Sequence, residues 1–307
     1  FVPTPVVSWT IEHLQLNGGL ILTASHNPPN YNGIKFNPAD GAPAPREVTD
    51  QIQELANQYF QSTYGVDTNL HGKLHLINTS SEFSDTMRRS LSDALGFESL
   101  ISLDNLSLVV DSKYGAVSNT WLQLSQLFNL KHIHFVHKEP RDDFGGINPN
   151  PTDLSTLTDL KAAQKEYSCP IAVANDPDGD RHIILDENGL ALSPEIISTI
   201  ILDYLVSKNR PVQGIASTVA SSALIKSAAS ANHLDYIETS VGFKYFHSFL
   251  KQARKAKTIG LAVESSGGFS CSFHTLEKCG FLPVMMILSI IHDTGTPLSQ
   301  LANAVTE

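Results

Sequence analysis

What most constrains this chain is an alternation of short apolar runs with longer segments of helical period. The runs at 19–23, 106–111, 132–136, 171–175, 182–186, 214–218 and 259–264 read as strands. The segments at 48–59, 81–96, 116–127, 154–166, 194–207, 221–231, 243–256 and 281–294 read as helices. Strands interleaved with helices of this length define an α/β fold: several similar α/β domains with mixed, mostly parallel sheets sandwiched by helices. Ser193 before Pro194 supplies a cap and a first helical position. The rhythm restarts after the polar stretch 67–81 and after the turn 186–189. Three units are therefore expected, at 1–80, 81–189 and 190–307. The first is short for a domain, and the last lacks a clear final layer.

Composition narrows the function classes. With 41% hydrophobic and 17% charged residues, the 307-residue chain is globular rather than disordered. Its formal charge of −10 repels phosphate backbones and anionic lipids, so neither nucleic acid nor a membrane surface is an expected partner. A phosphate-ester ligand would have to meet local cations. No apolar run is long enough for a transmembrane span, and the first residues lack the pattern of a signal peptide. Cys169, Cys271 and Cys279 are odd in number and form no CxxC pair, so free thiols in a cytoplasmic setting are expected.

The chemistry-bearing residues gather in loops. In the first, Thr23-Ala24-Ser25-His26-Asn27-Pro28-Pro29 runs on to Tyr31-Asn32-Gly33-Ile34-Lys35. The prolines forbid a helix, which leaves Ser25 on a loop at a strand's carboxyl end, where open α/β sheets bind ligands. A serine nucleophile needs help; His26 and Lys35 are the candidate helpers, and Lys35 also suits a phosphate. The second loop is Asp176-Pro177-Asp178-Gly179-Asp180-Arg181. Alternation puts three carboxylates on one side of an extended loop, where they repel unless a cation binds them. An all-oxygen set selects a hard cation, Mg²⁺ or Ca²⁺. An EF-hand is the poorer reading, because Arg181 stands where its loop needs glycine. The third loop, Glu264-Ser265-Ser266-Gly267-Gly268, offers polar groups for sugar hydroxyls. The fourth, Val241-Gly242-Phe243-Lys244, enters a helix where Lys244 could attract an anion. His132, His134 and His137 are read as structural or surface residues, since no third ligand of matching spacing accompanies His132 and His134.

Together these residues resemble the α-D-phosphohexomutases, the phosphoglucomutase and phosphomannomutase group. The first loop looks like that family's phosphoserine loop, 176–181 like its metal loop and 264–267 like its sugar-binding loop, with 241–244 like the segment before it. Val110-Asp111 through Gly115 is similar to the opening strand of its second domain. The resemblance spans nearly the whole chain. It implies a phosphohexomutase that interconverts hexose 1-phosphate and hexose 6-phosphate through a phosphoserine and a hexose 1,6-bisphosphate. Ser25, His26 and Lys35 would be catalytic. One Mg²⁺ would be held by Ser25, Asp176, Asp178 and Asp180, and the sugar phosphate by Arg181, Gly242, Lys244, Glu264, Ser266 and Lys278. A monomer or homodimer is expected. A Mg²⁺-dependent phosphatase and a non-catalytic sugar-phosphate binding module are the alternatives. The chain departs from the family in three respects. It contains neither the family's early Gly-rich start nor the Arg-Pro-Ser-Gly-Thr loop of its fourth domain. Glu264-Ser265 stands where a Glu-Glu pair is common. Cys279 stands where Asp is common after Lys278. A chain ending in the third domain is expected to bind metal yet turn over poorly, because little positive charge remains for the substrate's distal phosphate.

Overall fold

A computed structural model describes residues 1–61 and 72–306. The start of the polar stretch 67–81 therefore lies outside the described residues. In chain order the elements are α1 (Thr4–His13), β1 (Gly18–Leu22), β2 (Ile34–Pro38), α2 (Arg46–Gln61), α3 (Ser80–Leu95), β3 (Ser107–Asp111), α4 (Ser118–Leu127), β4 (His132–Val136), α5 (Thr158–Tyr167), β5 (Ile171–Asn175), β6 (His182–Leu185) and β7 (Ala191–Leu192). They continue with α6 (Pro194–Ser207), β8 (Val212–Thr218), α7 (Ala223–Ala231), β9 (Asp235–Thr239), α8 (His247–Ala256), β10 (Ile259–Val263), β11 (Phe269–Cys271), α9 (Leu282–Thr294) and α10 (Leu298–Thr306). Two sheets dominate, ordered β4-β3-β5-β6-β7 and β11-β10-β8-β9. Both are mixed: β4-β3-β5 and β10-β8-β9 run parallel, and β6, β7 and β11 are added antiparallel. The central strands are covered on both faces, and their sequences are continuous apolar runs for that reason. Leu108, Val109 and Val110 of β3 and Ile171, Ala172 and Val173 of β5 are all fully buried.

Six elements were not evident from periodicity: α1, β2, α10 and the edge strands β7, β9 and β11. Helix α1 opens with Pro3 and Pro5, which fit an N-cap and a first turn because a first-turn residue needs no N–H partner. Among the described residues strand β2 pairs only with β1, in a two-stranded antiparallel ribbon. Ser25 therefore follows a ribbon strand rather than a strand of an open parallel sheet, which corrects the expectation for the first unit. Helix α10 joins α9 in closing the third unit: Leu298 and Ala302 are buried, and residues 282–291 of α9 are buried throughout. The expected helix at 243–256 begins as a 3-10 turn, Phe243–Phe246, before α8.

His274 lies in the core beside Phe83, its ring Nε2 without a hydrogen-bond partner among the described residues. Burial, reinforced by the charge of Arg254, holds its pKa down to about 3. The folded state thus keeps this ring neutral while the unfolded chain takes up a proton below about pH 6.5. Its stabilising contribution is complete above that pH and is lost as pH falls towards 3, on the order of a few kcal/mol. Urea unfolding at pH 7 and pH 4.5 should show this as a lower midpoint in acid. The drop should be smaller in His274→Leu, and equal drops in the two proteins would contradict it.

Candidate functional site

Three of the polar loops singled out in the sequence are hairpin connections. Residues 23–33 join β1 to β2, with Leu22 opposite Ile34. Residues 176–181 join β5 to β6, with Asn175 opposite His182. Residues 264–268 join β10 to β11, with Val263 opposite Phe269. An immediate antiparallel return keeps both ends of each loop fixed, which holds polar side chains in place more tightly than a crossover to a distant helix.

The 176–181 loop is gripped from several sides. Trp121 Nε1 donates to Asn175 Oδ1 at 2.8 Å, and Asn175 Nδ2 donates to Arg181 O at 2.8 Å, closing the loop's base. The amide of Ala116 donates to Pro177 O at 2.7 Å, that of Thr4 to Asp178 O at 2.8 Å and that of Gly280 to Gly179 O at 3.0 Å. Gly179 has φ +71°, the left-handed region that favours glycine. Gly115 packs so closely that a Cβ there would lie 2.2 Å from Pro177 Cα. Gly115→Ala should therefore displace the loop, lowering stability by about 1–3 kcal/mol and weakening metal affinity by about tenfold. Gly189→Ala is the control: its φ is also positive, but only Gln164 Oε1, at 3.9 Å, is near. Calorimetric titration should show metal affinity unchanged there, and an equal loss in both variants would refute the packing argument.

Within the loop, one oxygen from each of Asp176, Asp178 and Asp180 lies within 4.8 Å of the others, and all three residues are buried. Asp178 Oδ1 and Asp180 Oδ1 are buried without a hydrogen-bond partner among the described residues. Such oxygens are costly unless a cation meets them, and an all-carboxylate donor set suits a hard divalent ion. The residues thus fit Mg²⁺. Burial, then the charges of Asp178 and Asp180, pushes the Asp176 carboxyl well up. Burial would also raise Asp180, but the Lys278 and Lys35 ammonium groups outweigh it and hold that carboxyl well below its ordinary range.

Ser25 reaches this triad. Its backbone is left-handed, at φ +54°, and its amide donates to Thr23 Oγ1 at 2.8 Å. Its hydroxyl donates to Asp176 Oδ2 at 2.8 Å. His26 Nδ1 lies 3.4 Å from Ser25 Oγ, and the opposite ring nitrogen lies 3.4 Å from Arg181 Nη1. Burial, then the Arg181 charge, lowers the His26 pKa. Lys35 sits on β2, not on the preceding loop. Its Nζ is 2.8 Å from both Asp178 Oδ2 and Asp180 Oδ2, and Lys278 Nζ is 3.2 Å from Asp180 Oδ2. Burial opposes the charge on Lys35, but Asp180 and Asp178 raise its pKa well above the ordinary value.

The 264–268 loop is joined to the 176–181 loop through main chain. The amide of His182 donates to Gly267 O at 3.0 Å, and Arg181 and Gly268 form an antiparallel bridge. Glu264 Oε1 accepts from the amide of Gly242 at 3.2 Å. A Cβ on Gly268 would meet Lys278 Cδ at 2.7 Å and Glu264 Oε2 at 3.0 Å, so Lys278 and Glu264 flank that glycine. Ser266 is half-buried in the same loop. Ser25, His26, Lys35, Arg181, Lys278 and the three aspartates therefore form one cluster, with Gly242, Glu264 and Ser266 beside it. Lys244 does not join them. It lines a separate groove of about 630 Å³ with Asp40, Arg46, His247 and Lys251.

Two supporting residues escaped the sequence reading. Thr4 Oγ1 and Thr23 Oγ1 both donate to Asp178 Oδ2, at 2.9 and 3.2 Å. The Pro-Thr-Pro start of α1 was the one signal that could have revealed Thr4. Of the histidines at 132–137, His132 and His134 lie with ring centroids 6.1 Å apart, His134 stacks on Tyr167 at 3.8 Å, and His137 Nδ1 is 2.9 Å from Asp111 Oδ1. Among the described residues the aspartate triad is the only such metal-competent cluster.

A hydroxyl aimed at a buried carboxylate triad, with cations around it, is an arrangement that can serve phosphoryl transfer. Comparison with known proteins agrees. Residues 1–63, 88–189 and 193–307 match the phosphoglucomutase/phosphomannomutase alpha/beta/alpha domains I, II and III respectively. Human phosphoglucomutase-1 is 31% identical over 313 residues, covering 94% of this chain and 55% of its own length. The phosphoglucosamine mutase of Limosilactobacillus reuteri is 28% identical over 309 residues, covering 99% of this chain and 64% of its own length. A Thermus thermophilus crystal structure, assigned as a phosphomannomutase, superimposes with a TM-score of 0.85 at 27% identity. The match covers 99% of this chain and 66% of the other. This chain belongs to the phosphoglucomutase/phosphomannomutase family. It spans little more than half the length of its human relative.

Proposed function

We propose that the chain carries the phosphoryl-transfer centre of a phosphohexomutase, interconverting hexose 1-phosphate and hexose 6-phosphate. The observation that carries this is the Ser25 hydroxyl bonded at 2.8 Å to Asp176, at the edge of the buried triad. The three units at 1–80, 81–189 and 190–307 would supply, in turn, the serine, the metal ligands and the sugar contacts.

Ser25 holds a phosphoryl group on Oγ. A sugar hydroxyl attacks the phosphorus as the Ser25 Oγ–P bond breaks, giving a hexose 1,6-bisphosphate. His26, the ring nearest Ser25 Oγ, takes the sugar's proton. After the bisphosphate turns round, its other phosphoryl group returns to Ser25 and the proton goes back to the departing sugar oxygen. Arg181 and Lys278 hold phosphate oxygens, while Glu264 and Ser266 grip sugar hydroxyls in either orientation. Lys35, held between Asp178 and Asp180, is the other group that can pass the sugar's proton, and as a cation it suits phosphate oxygens. Asp176, Asp178, Asp180 and Ser25 would hold Mg²⁺, which neutralises charge on the transferring group when bound. Lys244, in the groove with Asp40 and Lys251, is a further substrate contact in this reading, suited to an anion away from the triad.

The relatives' names, phosphoglucomutase and phosphoglucosamine mutase, support a hexose phosphate as the substrate class. A cytoplasmic location accords with the free, buried Cys169, Cys271 and Cys279. Among the described residues no helix is long and apolar enough to cross a membrane. The test supplies the full-length protein with Mg²⁺, a trace of hexose 1,6-bisphosphate and a hexose 1-phosphate, each sugar in turn. Isomerised hexose 6-phosphate is the expected product. Inorganic phosphate instead would indicate a phosphatase, and no turnover of any sugar would leave a binding module.

A further inference from the structure

The two amines at the triad do not face it equally, and they leave the carboxylates half used. Lys35 Nζ bridges Asp178 Oδ2 and Asp180 Oδ2 at 2.8 Å each, while Lys278 Nζ contacts Asp180 Oδ2 alone, at 3.2 Å. The other oxygen of each of these two aspartates, Oδ1, is buried without a hydrogen-bond partner among the described residues. Each carboxylate thus has one oxygen committed to an ammonium and one available. Arg181 adds a third cation, its Nε 3.8 Å from Asp180 Oδ1. Neutral donors complete the surroundings: Thr4 and Thr23 on Asp178, and Ser25 and the Arg181 amide on Asp176.

We infer that Lys35 is a built-in counter-ion that sets the metal affinity of this site, holding it weaker than three buried carboxylates would otherwise give. The inference rests on the metal-site reading above and adds to it a regulation of that site. The physics is a competition for one pair of negative charges. An ammonium at 2.8 Å from both carboxylates cancels part of the potential that draws in a divalent ion. It also repels that ion directly across a few ångströms of poorly screened interior. Part of every metal-binding event is therefore spent against Lys35. The side chain is 27% exposed and belongs to β2. Lys278, 15% exposed and facing one aspartate only, acts in the same direction with less effect.

This sign is opposite to that of a merely structural brace. If Lys35 only held the carboxylates in place, removing its charge would loosen the site and weaken metal binding. If it is a counter-ion, removing the charge tightens binding although the metal-stripped protein becomes less stable, because three buried carboxylates then repel one another.

The experiment titrates Mg²⁺ into the metal-stripped full-length protein and into Lys35→Met and Lys278→Met, by calorimetry. Thermal unfolding is followed with and without the ion, so that a variant needing metal to fold is still read. Affinity in Lys35→Met should rise by about tenfold or more, and in Lys278→Met by a smaller factor. The Mg²⁺-induced rise in Tm should be largest in Lys35→Met. Unchanged or weaker binding in Lys35→Met, with normal binding in the unsubstituted protein, overturns this inference and leaves the metal site standing. Failure of the unsubstituted protein to bind Mg²⁺ overturns both.

Discussion

Ser25→Ala should abolish transfer of labelled phosphate from hexose 1,6-bisphosphate to the protein, and turnover by the full-length enzyme should fall by about 10³-fold or more. The fold should survive. Ser25 is only part-buried, and its side-chain contacts, to Asp176 and His26, close no core contact. The left-handed backbone at Ser25 tolerates alanine no worse than serine. The discriminating result is the pairing of the two readouts: an unchanged Tm with lost labelling. Labelling that persists in the variant would move the nucleophile elsewhere and undo the assignment.

The second large effect concerns the metal. Asp178→Asn takes one negative charge from the triad and should lower Mg²⁺ affinity by about two orders of magnitude. Turnover should fall with it. Asn keeps the shape, so Thr4 and Thr23 can still donate to the remaining carbonyl oxygen, while Lys35 keeps Asp180. The metal-stripped variant should therefore be at least as stable as the parent, since one like-charge repulsion is gone. Calorimetry gives the affinity and unfolding gives the stability. Unchanged affinity would remove Asp178 from the ligand set.

The aspartate loop was legible in the sequence because charge repulsion leaves few reasons to place Asp176, Asp178 and Asp180 together. Ser25 was legible because prolines on its far side exclude a helix. The site's depth was not legible. Lys35 belongs to β2, a strand whose burial alternates weakly, which ends in proline and which pairs with β1 alone among the described residues, so no period-2 signal marks it. Lys244 lies in the 3-10 turn after Gly242 and lines the groove with Asp40 and Lys251, a placement its motif did not encode. Direction of approach is a tertiary property, and spacing along a chain does not encode it. Thr4 shows the same limit, since it meets Asp178 across 174 positions of sequence.

The main-chain seam between Arg181–His182 and Gly267–Gly268 has an evolutionary consequence. Because that seam uses main chain and the His182 ring, the identities of Glu264, Ser265 and Ser266 are largely uncoupled from the alignment of the aspartate loop. Glycine is what the seam demands: at Gly267, with φ +92°, a Cβ would lie 2.4 Å from His182 O. Side chains at 264–266 can therefore be exchanged over time while the aspartate loop keeps its alignment.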